Sequence, residues 1–102
     1  MPRFFCIGDV DTCTGFALAG VEGTAPESAD DAAGVFDRVR QDPEIAVLII
    51  TEEIAARLQE EIIGHRVLGV RPMIVEIPGN LSEEFRGGSL MDSIRQAVGI
   101  SI

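Results

Sequence analysis

The chain has 102 residues, a formal net charge of −9, 46% hydrophobic and 25% charged residues. That length and composition describe one globular domain, burying roughly 60–68% of its unfolded surface. The charge excludes a nucleic-acid binder, which must neutralise phosphates, and docking to an anionic membrane surface; five Phe with no Trp or Tyr also leave few platforms for base stacking.

RFFCI (3–7) is an apolar run too short for a helix and reads as a buried strand. GDVDTCTGFALAG (8–20) follows, with Thr12 as N-cap and Gly20 as stop of a short helix. VEGTA (21–25) reads as a second strand, weakened by Gly23. Ser28 opens the next helix, with Asp31 at capping-box spacing. Ala32, Val35, Phe36 and Val39 share one helical face, and Asp42-Pro43 ends the element. IAVLII (45–50) is continuously apolar and β-branched, as expected of a strand covered on both faces.

Thr51 is placed to cap a helix carrying Glu52 and Glu53 in its first turn and ending at Gly64. Ile54, Leu58 and Ile62 turn toward the core. PMIVEIP (72–78) is a strand bounded by prolines, and GNLSEEFRGG (79–88) a linker with a turn or hinge at Gly87-Gly88. Ser89 and Asp92 repeat the capping-box spacing before a stripe of Leu90, Met91, Ile94, Ala97 and Val98 that Gly99 stops.

Strands alternating with helices imply an α/β fold: a single small domain with a four-stranded parallel sheet flanked by helices, receiver-like or Rossmann-like. Residues 1–78 make the sheet domain; residues 79–102, linker and last helix, belong to the same domain, and the linker lets that helix sit away from the sheet. Cys6 and Cys13 fall in a strand and at a helix start, where a disulfide would distort both, so free thiols and a reducing compartment are expected. No stretch reaches signal-peptide or transmembrane length, which points to a soluble cytoplasmic protein.

Open parallel sheets bind ligands beyond the carboxyl ends of their strands. Those ends carry Asp9, Asp11, Thr51 and Glu76. An aspartyl-phosphate receiver needs an acidic pair for Mg²⁺, an Asp nucleophile after the third strand and a Lys for the phosphoryl oxygens. Here Thr51 holds the nucleophile position, the chain has no Lys, and no segment offers a fifth strand. Asp9 and Asp11 could hold a hard cation, but acids beside a helix start more commonly cap it. Cys13 and His65 could form a nucleophilic dyad; the plainer reading is a packed thiol and a surface histidine.

The glycines match no phosphate-binding spacing. Gly15, inside the first helix, costs about 0.5–1 kcal/mol against Ala and points to close packing. No catalytic residue, metal or cofactor is therefore expected. Leu90, Met91, Ile94 and Val98 read as a stripe covering the sheet; the alternative is that the apolar C-terminal end docks a partner, through Phe85, Leu90, Ile94, Val98, Ile100 and Ile102.

GDVDTCTGFALAGV is similar to the N-terminal signature of the F subunit of the V-type/A-type ATPases, approximately G-D-x-D-T-x-x-G-F-x-L-A-G-V. Gly8, Asp9, Asp11, Thr12, Gly15, Phe16, Leu18, Ala19, Gly20 and Val21 match it. IAVLIITEEIA (45–55), RPMIVEIPG (71–79) and the closing helix ending VGI resemble later segments of that family in the same order. The resemblance implies a non-catalytic component of the central stalk, or rotor. It would bind the coiled-coil D subunit and couple ATP synthesis or hydrolysis to ion transport, peripheral to the membrane. It also implies a four-stranded parallel sheet with a more mobile C-terminal segment, regulatory in some members. Ala17 departs from the pattern, since many members carry a basic residue there. The contrasting reading is a receiver-like signalling or Mg²⁺-binding module without the usual phosphoacceptor.

Overall fold

The computed structural model describes residues 3–78. Their elements run β1 (Arg3–Ile7), α1 (Val10–Leu18), β2 (Glu22–Thr24), α2 (Ala29–Gln41), β3 (Ile45–Thr51), α3 (Glu52–Arg57), α4 (Gln59–Leu68) and β4 (Met73–Ile77). The strands form one four-stranded sheet in the order β2-β1-β3-β4, and every pairing is parallel. Direction reverses between β1 and β3: the chain builds outward from β1 to β2, then crosses to β3 and β4. This is the topological switch point of a doubly wound sheet.

Continuous apolarity explains why β3 is central. Ile45, Val47, Leu48, Ile49, Ile50 and Thr51 are all buried. Residues of opposite parity serve opposite faces. Leu48 and Ile50 join Ile7 and Ile74 under α2, α3 and α4, packed on Ala32, Val35, Phe36, Val39, Ile54, Leu58 and Ile62. On the other face Cys6, Val47, Ile49 and Ile77 pack with Phe16 of α1 and with Val21.

The α2 start follows its sequence signal. The Ser28 hydroxyl accepts from the Asp31 amide at 3.0 Å, and the Asp31 carboxylate accepts from the Glu27 amide at 3.0 Å. The return bond thus reaches one residue further back than in the usual box. The expected helix over 52–64 differs in two ways. It divides at Leu58, which has φ −117 and ψ 25 and ends α3 while starting α4. No glycine or proline marks that break. α4 also runs through Gly64 and stops at Gly69, whose φ of +66 supplies the left-handed C-cap that Gly64 does not.

The other boundaries move by a residue or two: β2 loses Val21 and Ala25, β3 gains Thr51, and β4 loses the flanking prolines. The expected helix after Ser89, and Phe85, Leu90, Ile94, Val98, Ile100 and Ile102 with it, lie outside the described residues.

Candidate functional site at the first strand–helix corner

The corner between β1 and α1 sits at the switch point, where chemistry would be sought. The helix begins three residues earlier than expected. Its N-cap is Asp9, in extended conformation, and Thr12 lies inside the first turn. The Thr12 amide donates to Asp9 Oδ2 at 3.1 Å and its hydroxyl donates to Oδ1 at 2.6 Å. Both carboxylate oxygens are therefore engaged in closing the helix end, where they also face the positive end of its dipole. Asp11 is exposed in the same first turn.

Thr51 also departs from expectation. It occupies the position before α3 but makes no side-chain cap bond there. Its side chain turns inward, 2% exposed, toward Gly8. A Cβ on Gly8 would stand 2.8 Å from Thr51 Cγ2 and 3.5 Å from Thr12 Cγ2. Two buried threonines thus fill the switch-point crevice. A receiver would need that space for an acidic nucleophile and its phosphoryl group.

Gly20 is not a site of close packing. Gly20 has open space around it and is set by its φ of +88, just beyond the Ala19 cap. Gly8 and Gly23 are the tight positions. A Cβ on Gly23 would meet the Cys6 carbonyl oxygen at 2.8 Å and Cys6 Cβ at 3.1 Å. Backbone cannot swing aside, so Gly23→Ala is expected to destabilise by about 1–3 kcal/mol through overpacking. Urea melts of the two proteins measure it; equal midpoints would refute the contact.

His65 and Cys13 do not meet. His65 is a helix residue, 3% exposed, packed edge-on to Phe36 on the α2–α4 face. Its Nε2 lies 2.8 Å from the Pro72 carbonyl, which only accepts, so Nε2 carries the proton. Cys13 packs into the cluster on the opposite face. The histidine is therefore a buried tie between α4 and the start of β4, not the surface residue expected. Glu76 is exposed and pairs with Arg66 at 3.2 Å, while a second Arg66 nitrogen donates to the Ile74 carbonyl.

One surface was not found from sequence. Ile63, Val67, Leu68, Val70 and Met73 are exposed around the end of α4 and the start of β4, Val67 at 80%. Beside them opens a cavity of about 420 Å³ whose lining includes Ala46, His65, Val70, Pro72 and Met73. The signal was the run VLGV at 67–70, off the Ile54–Leu58–Ile62 stripe. Clustered exposed apolar side chains of this kind mark interaction surfaces.

Fold and corner together define a small doubly wound α/β domain whose switch point is packed rather than open, and whose corner acid Asp9 holds a helix. Residues 5–98 match the model of the ATP synthase (F/14-kDa) subunit family. The chain is 35% identical over 98 residues to the F subunit of the A-type ATP synthase of Methanothermobacter thermautotrophicus, covering 94% of this chain and 92% of the relative. It is 32% identical over 97 residues to the corresponding protein of Methanocaldococcus jannaschii, covering 94% of each, and 30% identical over 107 residues to that of Thermococcus sibiricus, covering 98% and 97%. The chain belongs to this ATP synthase F-subunit family. No helix among the described residues is long and apolar enough to cross a membrane.

Proposed function

We propose that this protein is a non-catalytic central-stalk component of a rotary ATP synthase, docking on the coiled-coil D subunit. Through that contact it couples ATP synthesis or hydrolysis to ion movement, on the cytoplasmic side of the membrane. The observation that carries the reading is the family match over residues 5–98, which includes the corner motif. The geometry of that motif supports it: the Asp9 carboxylate is taken up by Thr12, and Thr51 fills the adjoining crevice.

The docking residues are Phe85, Leu90, Ile94, Val98, Ile100 and Ile102, read from the sequence, and separately the exposed group around Val67 and Leu68. A helical partner laying an apolar stripe on such a surface needs no polar chemistry from it. Co-purification with the cognate D subunit at micromolar concentration should give a 1:1 complex, and the isolated chain should not turn over ATP. Absence of a complex would overturn the proposal. Ile94→Asp, and separately Val67→Asp with Leu68→Asp, should each weaken binding about tenfold or more, or about 1.4 kcal/mol. The second pair should leave the melting of the isolated chain almost unchanged, because both side chains already face water. Unchanged affinity would remove that surface from the interface. Unfolding of the Ile94→Asp chain would make that position core.

A further inference from the structure

Two thiols face each other at the corner, and the stalk role gives them no chemistry. Cys6 lies in β1 and is fully buried; Cys13 lies in the first turn of α1 and is partly exposed. Their sulfurs are 3.9 Å apart, and Cys13 Sγ is also 3.6 Å from the Gly8 carbonyl oxygen. Gly23 leaves room over this pair: a Cβ there would stand 3.4 Å from Cys13 Sγ. A disulfide needs the sulfurs at about 2.05 Å, so the remaining approach is about 2 Å. Rotation of the Cys13 side chain, in the first turn of α1, is the movement that would close it.

We propose that Cys6 and Cys13 form an oxidisable dithiol, which a hydroperoxide converts to an intramolecular disulfide joining β1 to α1. The two cysteines have different parts. Cys13 meets solvent, and its hydrogen-bonding contact with Cys6 holds its pKa below the ordinary value. The same contact, with burial, pushes Cys6 up. Cys13 is therefore the attacking thiolate and Cys6 the resolving thiol.

In the first step Cys13 Sγ attacks one peroxide oxygen. The O–O bond breaks, hydroxide leaves and takes up a proton as water, and Cys13 becomes a sulfenic acid. In the second, Cys6 Sγ attacks Cys13 Sγ and the S–O bond breaks. The leaving hydroxide takes the Cys6 proton as a second water. Two thiols and one hydrogen peroxide give one disulfide and two waters; the sulfurs lose two electrons and the peroxide gains them.

The test treats the full-length chain with hydrogen peroxide and reads intact mass. Wild type should lose about 2 Da, the mass of two hydrogens, and regain it with dithiothreitol. Trypsin releases both cysteines in one peptide, residues 4–38. In the oxidised protein that peptide should resist fragmentation between positions 6 and 13. Cys6→Ser should leave the sulfenic acid on Cys13, trapped by dimedone, while Cys13→Ser should resist oxidation. Persistent sulfenic or sulfinic acid on the wild type, or a disulfide between two chains, would overturn the proposal. Should Cys6→Ser fail to fold, the fragmentation pattern of the wild-type peptide decides by itself.

Discussion

Replacing Phe16 by Ala should cost about 3–5 kcal/mol of stability, the range for removing a fully buried aromatic ring. Phe16 is wholly buried and carries α1 into the cluster of Cys6, Val21, Val47, Ile49 and Ile77, with Cys13 packed at its margin. Its loss both forfeits the transfer of the ring from water and leaves a void that a four-stranded sheet cannot close by collapse. Domains of this size are stable by only about 5–15 kcal/mol, so the variant should melt more than about 10 °C lower or fail to fold. Phe16→Leu keeps most of the volume and should lose less than half as much. Thermal melts of the three proteins measure the series. Equal losses for Leu and Ala would mean that the ring acts through a specific contact and not through filled volume.

The second large effect concerns Asp9. Asp9→Ala removes the α1 cap, worth about 0.5–2 kcal/mol. It also strands the hydroxyl of Thr12, which is only 2% exposed, at a further cost of about 1–3 kcal/mol. Together a loss of about 2–4 kcal/mol is expected. Asp9→Asn keeps a side-chain oxygen for the Thr12 amide and should lose about 1 kcal/mol or less, since Asn caps nearly as well as Asp. The pair separates two roles for the corner acid. If it caps, Asn is mild and Ala severe. If its charge were needed for a cation or for a partner, Asn would impair binding to the proposed partner, the D subunit, as much as Ala does. Urea melts alongside titrations with that partner read both quantities. A mild Asn variant that still loses the partner would show that the corner itself is part of the interface.

Much of the scaffold was legible because its periodicities are strong. The six apolar residues of IAVLII could only be a strand covered on both faces, and the structure places them at the centre of the sheet. Ser28 announced α2, and its hydroxyl makes the cap bond. The errors gathered where two signals competed. Asp9 and Thr12 are both good caps. The choice between them depends on where β1 lets the chain leave the sheet, which is not a local property. Gly64 and Gly69 are both possible stops. Only Gly69 has the positive φ, because the helix had to run far enough to bring His65 to Pro72. The break at Leu58 has no residue signal at all.

By itself, then, the sequence determined the class, the parallel strand–helix alternation and the family, because burial patterns and a long motif are written along the chain. Tertiary structure alone decided what the motif does. Whether Asp9 is a ligand or a cap depends on Thr12, and whether the switch point is open depends on Thr51, far along the chain in β3. The meeting of Cys6 with Cys13 depends likewise on how closely α1 lies against β1 and β2. Such contacts are set by how the elements pack, and no local propensity encodes a distance across a sheet.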